Sequence, residues 1–373
     1  MCDAYKDVCE NFPRLCPRLI PQPLSYYTLK SFSKLNPYVS TVICEDCDDT
    51  VRRLNYFWLG QRGDTCEVCG SKGEEVDEEW EYRLDGDKGL ARLVGLRTLC
   101  RKCYSAKYRA KENHPEALTH LAEVNGVNDV REGLRRAIEV QKRLSGVEDW
   151  AFELEALDGE LRDKAERLMN TAYKVGLSYE DGWLYYTGKN SKALVAVSLE
   201  KTLDIIKNNN SEDLYSLAVS SLDGEAQVLE KEFKFFLDMV KIPIRIVLDV
   251  DDRDFALRSL RESVSGKWMV FVRQEVYVQF FKRVIGLLGD DGYRAKITCN
   301  LDKDELPVIV YVPSAFDFEN VLRVKGVLTE VMEEFDINKN ILFKPDVFSA
   351  NEIYSGRSDI KPYIYVALSP RQV

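Results

Sequence analysis

Two Cys-x-x-Cys pairs constrain the fold of this chain more than any other feature of its sequence. The first pair is Cys66 and Cys69, followed directly by Gly70, and the second pair is Cys100 and Cys103. Zinc prefers four cysteine or histidine ligands in a tetrahedron, and each Cys-x-x-Cys turn supplies two neighbouring ligands. Gly70 permits the tight turn that directs backbone N–H groups toward the sulfurs. The pattern therefore predicts a metal site in the first third of the chain.

A third pair, Cys44 and Cys47, leaves the choice of ligands open. This pair lies 18 residues before the first pair, which in turn lies 30 residues before the second pair. Both spacings are compatible with a shared zinc ion. Cys9 and Cys16 would complete a second zinc site with Cys44 and Cys47, and the simpler alternative is a pair of free thiols on an acidic turn.

Length and charge bound the functional classes. A chain of 373 residues is expected to form two or three domains, and its net charge of −10 divides into −2 over residues 1–150 and −8 over residues 151–373. This balance excludes a uniformly basic nucleic-acid-binding protein, so any contact with nucleic acid must be local. Residues 1–20 contain no apolar run of signal-peptide length, and no run is long enough to span a membrane, which predicts a cytoplasmic protein without membrane contact.

Residues 97–111 are the strongest candidate in the chain for a contact with DNA or RNA. This stretch carries six cations and no acidic residue, and two tyrosines stand one helical turn apart among them. Cations neutralise phosphates, and tyrosine rings stack on bases. The candidate residues are Arg97, Arg101, Lys102, Tyr104, Lys107, Tyr108, Arg109 and Lys111. The alternative, weighed equally, is a solvated helix face whose tyrosines pack on the metal domain.

Hydrophobic periodicity predicts an α+β protein in four segments. Segment 1–59 is predicted to be a proline- and cysteine-rich arm that ends in a short helix. Segment 60–150 is predicted to be a metal-binding hairpin with a helical tail, and segment 151–250 a helix and a small α/β unit. Segment 251–373 is predicted to be an antiparallel-rich sheet domain.

The predicted elements follow from alternation in strands and from apolar residues at helical spacing. In the first half, the predicted strands cover 80–84 and 90–96, and the predicted helices cover 49–59, 100–111, 115–124, 128–144 and 160–175. Further along, the predicted strands cover 183–187, 193–199, 214–220 and 242–250, and the predicted helices cover 200–208 and 225–240. From residue 266 the predicted order is β-α-β-β-α-β-β, with the helices on one face of the sheet.

The sequence around the first and second pairs resembles a known family. The motif Cys66-Glu-Val-Cys-Gly, the motif Trp80-Glu-Tyr and the run from Leu93 to Cys103 are similar to the zinc-binding HNH-type family of bacteria and viruses. The resemblance covers residues 60–150. It implies that the four cysteines of the first and second pairs share one Zn²⁺ ion and clamp a ββα-metal finger.

Three histidines of the HNH pattern are replaced in this chain. Asp77, Tyr104 and Tyr108 stand at the corresponding positions. A general base that activates water needs a pKa near the working pH, which histidine has and tyrosine lacks. We therefore expect a structural zinc finger without nuclease activity. The alternative is a metal-dependent nuclease that uses Asp77.

The C-terminal part resembles a second family. Gly266-Lys-Trp, the run from Leu342 to Ser349 and Ile353-Tyr-Ser-Gly are similar to the phosphothreonine lyase domain family, over residues 250–370. The resemblance implies a fold like that of the cap-binding translation initiation factor. Binding of an mRNA cap is disfavoured, because the aromatic ring expected near Leu257 is missing and a cationic base needs two rings.

An enzyme site in the C-terminal part is a further hypothesis. Lys344, Asp346, Tyr354 and Arg357 would line a pocket at one end of the sheet, and Lys344 or Lys361 would act as the base, with its pKa lowered by burial. The simpler interpretation is that Asp346 shapes a turn and Tyr354 packs. The main expectation from the sequence is a zinc-stabilised nucleic-acid-binding or adaptor protein whose C-terminal part contacts a protein partner.

Overall fold

The computed structural model describes residues 8–250, 252–289, 291–356 and 359–369. The chain divides into two compact units, Met1–Gly182 and Trp183–Val373. Arg357, named above for the hypothetical enzyme site, lies outside the described residues. No helix in the described part of the chain is both long enough and apolar enough to cross a membrane.

The first unit contains a β-hairpin, two short strands and seven α-helices among its described residues. The strands are β1 (Glu75–Asp85), β2 (Lys88–Leu99), β3 (Asp149–Glu153) and β4 (Leu177–Glu180). The helices are α1 (Leu29–Ser33), α2 (Pro37–Ser40), α3 (Cys47–Gly60), α4 (Arg101–Arg109), α5 (Pro115–Asn125), α6 (Arg131–Ser145) and α7 (Gly159–Lys174). β1 pairs antiparallel with β2, and β3 adds parallel to β2. The succession of β1, β2 and α4 confirms the predicted ββα order.

The N-terminal arm packs beside the metal-binding cysteines. Phe12, Leu15 and Leu19 are buried in one apolar cluster with side chains of α4 and α5. At the end of α5, the side-chain oxygen Oδ1 of Asn125 accepts the N–H group of Leu15 at 3.0 Å, and the side-chain Nδ2 of Asn125 donates to the Leu15 carbonyl at 3.1 Å. The arm therefore contributes core to the metal-binding part of this unit.

The second unit is built on an antiparallel sheet. Its strands are β5 (Trp183–Thr187), β6 (Gln227–Val228), β7 (Gly266–Arg273), β8 (Arg294–Thr298), β9 (Glu305–Val312), β10 (Ile341–Pro345) and β11 (Tyr365–Ala367). Its helices are α8 (Ser191–Asn208), α9 (Ser211–Ser221), α10 (Glu230–Asp249), α11 (Arg253–Val264), α12 (Tyr277–Leu288), α13 (Phe318–Glu334) and α14 (Asp346–Ala350). The strand order is β5-β8-β9-β7-β10-β11-β6. From β7 onward the predicted order of elements is confirmed, with α14 as an additional short helix.

Three predicted strands of the second unit are wrong. The segments 193–199, 214–220 and 242–250 lie in α8, α9 and α10. The buried side of α8 includes the polar residues Ser198 and Thr202, which obscures its helical period. In α10 two of the isoleucines that suggested a strand, Ile242 and Ile246, are exposed, at 68% and 48%. The apolar residues in these segments fit both the strand period and the helix period, and tertiary packing determines that the segments are helical.

One face of the sheet is covered by α12 and α13. Alternate residues of β7, Trp268, Val270 and Val272, are fully buried on the face that carries α12 and α13. The indole N–H of Trp268 donates to the carbonyl oxygen of Val321 in α13 at 2.8 Å. Because side chains alternate along a strand, the residues between them project from the opposite face, which we call the outer face.

Candidate metal centre and cationic clusters

Four cysteine side chains converge in the first unit. The Sγ atoms of Cys66, Cys69, Cys100 and Cys103 all lie within 4.8 Å of one another, and those of Cys69 and Cys100 are 3.6 Å apart. A tetrahedral zinc site with Zn–S bonds of about 2.3 Å places its sulfurs about 3.8 Å apart. The donor set and its spacing therefore fit one metal ion with four protein ligands.

Local backbone structure places each pair of ligands. Gly70 has φ +75°, and its N–H group donates to the carbonyl of Cys66 at 2.9 Å, closing the turn that its position predicts. The second pair lies at the start of α4, where the N–H group of Cys103 donates to the Cys100 sulfur at 3.4 Å. Such N–H groups stabilise thiolate ligands.

Three of these thiols, Cys69, Cys100 and Cys103, have shifted pKa values. Although burial acts to raise it, hydrogen bonds from Ser71 and from neighbouring thiols lower the pKa of Cys69 to about 6. Burial raises the pKa of Cys100 and of Cys103. A bound divalent metal would oppose the effect of burial, because it stabilises every coordinating thiolate at once.

His120 is a neighbour of the metal centre that the sequence analysis missed. Its Nε2 atom lies 3.2 Å from the sulfur of Cys103, and its Nδ1 atom lies 3.6 Å from a carboxylate oxygen of Glu123. An imidazole N–H group in this position would orient and stabilise the Cys103 thiolate. The available signal was its rarity, since the chain has only two histidines.

The remaining cysteine pairs do not form the second metal site. Cys9 is joined to Cys16 and Cys44 to Cys47 by disulfide bonds. Both interpretations of Cys44 and Cys47 from the sequence, a second zinc site and two free thiols, are therefore wrong for this structure. Within the described ranges, the four cysteines above are the one cluster of side chains suited to hold a metal.

Asp77 is buried in the first unit and is held by ion pairs and a hydrogen bond. Its side chain is fully buried, and Lys107 Nζ contacts Asp77 Oδ2 at 2.5 Å. Arg97 Nε lies 3.4 Å from the same oxygen, and the hydroxyl of Tyr108 donates to Oδ1 at 3.3 Å. Burial lowers the pKa of Lys107, and the attraction of Asp77 opposes that shift. Both oxygens of Asp77 are thus committed to protein cations and a hydroxyl.

Only part of the predicted basic stretch faces solvent. Arg101, Lys102 and Arg109 are exposed on α4. Arg97 and Lys107 are paired with Asp77, as described above. Lys111 donates to Gln141 Oε1 at 2.6 Å and also to the carbonyl of Arg18, and burial lowers its pKa to about 8. The structure therefore brings three of the six predicted cations to the surface.

The two predicted tyrosines point to a cavity instead. The rings of Tyr104 and Tyr108 stack with their centroids 4.3 Å apart. They line a cavity of 370 Å³ in the first unit together with Arg18, Trp58 and Glu78, which we call the tyrosine pocket. The sequence suggested that the tyrosines and the cations share one surface. In the structure the tyrosines line the pocket, whereas the exposed cations of α4 face solvent.

The outer face of the sheet in the second unit carries an unpredicted cationic cluster. Arg294 of β8 stands opposite Tyr311 of β9, which stands opposite Lys267 of β7, which stands opposite Lys344 of β10. In the next row Lys296 of β8 stands between Tyr185 of β5 and Ile309 of β9. The four cations share one face because their strand positions have the same parity.

Aromatic rings surround the central lysine of this cluster. The Nζ atom of Lys296 lies 4.3 Å from the ring centroid of Trp183, 5.3 Å from that of Tyr185 and 5.6 Å from that of Tyr311. Burial and the nearby charges of Lys267 and Arg294 lower the pKa of Lys296 to about 8. Keeping Lys296 charged in this cluster therefore costs free energy.

One carboxylate partly balances these cations. Asp346 contacts Lys267 Nζ at 2.7 Å and accepts the hydroxyl of Ser265 at 2.9 Å. Lys344 donates to the carbonyl of Ile353 at 2.7 Å and lies 4.0 Å from the ring centroid of Tyr354. Burial and Lys267 lower the pKa of Lys344 to about 8. Of the predicted enzyme site, Lys344 and Tyr354 are thus in contact, while Asp346 pairs with Lys267.

Comparison with known proteins does not assign this chain to a family. No known protein family matches the chain, and no curated protein shows significant similarity to its sequence. The resemblances described above therefore remain predictions.

Proposed function

We propose that this protein binds single-stranded nucleic acid on the outer face of the sheet in its second unit, and that a structural zinc ion holds its first unit together. The observation that carries the proposal is the row of Arg294, Tyr311 and Lys267, with Lys296 beside it. Cations that contact phosphates and rings that stack on unpaired bases are the two components of such a surface.

The charge distribution supports an anionic ligand. Residues 151–373 have a net charge of −8, yet four cations meet on the outer face near the carboxylate of Asp346. Burial, and after it their mutual repulsion, disfavours the charged forms, as the lowered pKa values of Lys296 and Lys344 indicate. A bound phosphate backbone would relieve this repulsion, whereas a neutral ligand would not.

Unpaired bases fit the apolar part of the same face. Trp183 and Tyr185 of β5 lie beside Lys296, and Phe271 of β7 is 41% exposed. A duplex hides its base faces, so these rings favour a single strand.

The metal centre supports a structural role in this proposal. Four cysteine ligands leave no open coordination position for a substrate or a water molecule. Asp77, the remaining candidate for a nuclease base, is buried and paired with Lys107. We infer that the metal is zinc and that the HNH-like part has no nuclease activity.

Electrophoretic mobility shift and fluorescence anisotropy with single-stranded RNA and DNA test the proposal. The variant Arg294→Gln with Lys296→Gln is expected to weaken binding and to reduce the slope of log Kd against log salt by about 2, since two phosphate contacts are lost. The matched control is Arg101→Gln with Lys102→Gln on α4. Absence of binding by the wild type at low salt, or equal binding by the outer-face variant, would refute the proposal.

The exposed cations of α4 are the second candidate surface. Arg101, Lys102 and Arg109 are free of the buried network around Asp77 and face solvent. If the control variant loses binding while the outer-face variant keeps it, nucleic acid binds to α4 as the sequence suggested. The same pair of variants therefore separates the two surfaces.

A further inference from the structure

The tyrosine pocket of the first unit has the size and the chemistry of a small-molecule site. Its volume is 370 Å³, within the range of about 300–1,000 Å³ that ligand pockets occupy. Its walls combine aromatic rings, cations and carboxylates, whereas a simple packing defect would be lined by apolar side chains.

Arg18 supplies an unused donor in this pocket. Its Nε atom is buried and has no hydrogen-bond partner within the described part of the chain. The Cζ atom of Arg18 lies 4.5 Å from the ring centroid of Tyr108. A buried N–H group without an acceptor is costly, so an acceptor from a ligand would recover that cost. A guanidinium presents its donors in a fork that matches phosphate oxygens.

Ring surfaces lie next to this guanidinium. Tyr104 and Tyr108 are nearly parallel, at 19° with their centroids 4.3 Å apart, and Trp58 lines the same pocket. Lys30 Nζ lies 5.3 Å from the centroid of Tyr104. A flat heteroaromatic ring has surfaces that stack on such side chains.

Carboxyl groups complete the polar part of the pocket. Glu78 is buried, and it accepts the backbone N–H group of Lys30 at 2.7 Å and the indole N–H of Trp80 at 2.6 Å. Each carboxylate oxygen has two acceptor sites, so Glu78 retains capacity for a donor from a ligand. Glu180 and Asp181 line another part of the pocket. Carboxylates of this kind accept hydrogen bonds from ribose hydroxyls and base amino groups.

We propose that the tyrosine pocket binds a nucleoside 5′-monophosphate. Arg18 contacts the phosphate, the base packs beside the stacked pair of Tyr104 and Tyr108, and Glu78 accepts a donor from the edge of the base. Other anionic aromatic ligands, such as a phosphorylated phenol, offer no donor to Glu78. The nucleotide is either free or the 5′-phosphorylated end of a strand, since both present the same groups. This site is distinct from the outer face and goes beyond the function proposed above.

Titration of the full-length, zinc-loaded protein tests the inference. The background is Arg294→Gln with Lys296→Gln, so that binding on the outer face does not contribute. The probes are AMP, GMP, CMP and UMP, their nucleosides, and one short oligonucleotide with either a 5′-phosphate or a 5′-hydroxyl. Calorimetry gives stoichiometry, and the fluorescence of Trp58 and Trp80 reports on the pocket itself.

We expect saturable one-to-one binding of at least one nucleotide. Arg18→Gln should weaken it by about tenfold or more, because charge-assisted contacts to phosphate are lost. The matched control is Arg14→Gln, an exposed arginine of the same arm, which should leave affinity unchanged. If only the 5′-phosphorylated oligonucleotide binds and Arg18→Gln abolishes that binding, the ligand is a strand end and the site stands.

Three results would overturn the inference. One is no saturable binding of any probe at millimolar concentration, and another is binding that Arg18→Gln leaves unchanged. The third is equal affinity for nucleosides and nucleotides, which decides the question even if Arg18→Gln fails to fold. Because the background variant lacks the outer-face cations, these results leave the proposed nucleic-acid surface untouched.

Discussion

The two cationic clusters of this protein contain the same residue types but differ in how fully their cations are paired with carboxylates. In the first unit, Lys107 and Arg97 pair with the buried carboxylate of Asp77, and Arg97 also pairs with Glu79. In the second unit, Lys296 and Arg294 stand beside each other among aromatic rings. A cation that is paired inside the protein stabilises structure, and a cation that lacks a counter-charge is available to a ligand. The density of lysine and arginine in a stretch of sequence therefore does not by itself identify a binding surface.

The largest expected effect is that loss of the metal unfolds part of the first unit and leaves the second unit folded. Chelation of the metal, or Cys103→Ser, should unfold the metal-binding part of the first unit, since structural zinc sites contribute about 10–16 kcal/mol in zinc-finger peptides. The second unit contains none of the four ligands and should keep its own unfolding transition. Calorimetry with metal analysis checks this.

The control for metal removal is Cys44→Ser. Because Cys44 is bonded to Cys47 and not to the metal cluster, this variant should retain one zinc per chain. Loss of zinc in Cys44→Ser, or an unchanged unfolding curve after chelation, would contradict the assignment of the ligands.

The next effect compares the two carboxylates directly. Asp77→Ala leaves Lys107 buried without its partner and should lower the free energy of unfolding by about 3–5 kcal/mol. Asp346→Ala removes a half-buried partner of Lys267 and should cost about 1 kcal/mol or less. It should also tighten the binding of nucleic acid, because the outer face gains net positive charge.

Urea denaturation and anisotropy measure these two quantities. If both alanine variants lose stability equally, the cations of the outer face are as firmly paired as those of the first unit. The contrast between the clusters would then be wrong.

A third prediction uses pH to sharpen the contrast. The pKa of Lys296 is lowered to about 8, so this lysine loses its charge as pH rises through that value. Affinity for single-stranded nucleic acid should therefore fall between pH 7 and pH 9. Lys296→Arg keeps its charge and should remove that part of the decline, leaving the contribution of Lys344, whose pKa is also about 8. An affinity independent of pH in the wild type would place the binding surface elsewhere.

The smallest effect concerns His120. Its contact with the Cys103 sulfur predicts that His120→Ala lowers zinc affinity by about tenfold without changing the ligand set. Competition with a chromogenic chelator measures this change, and His114→Ala is the matched control on a histidine that touches no ligand. Equal zinc affinity in the two variants would show that His120 only packs.

Much of the fold was readable because the signals were local. Gly70 follows its cysteine pair directly and adopts the turn expected of it. In β7 and β8, buried residues alternate with more exposed ones, which made these strands recognisable. The prediction was wrong where two periods fit one apolar run, as in α10, whose exposed Ile242 and Ile246 imitate a strand.

By itself, the sequence determined which side chains exist and which local turns and periods they form. Only the tertiary structure decided which cations remain available, because their partners come from distant segments. Lys107 meets Asp77 from 30 positions away, and the rings around Lys296 come from two strands, β5 and β9. Electrostatic pairing depends on the distance between charged groups in space and on their burial. Neither quantity can be read from the order of residues along the chain.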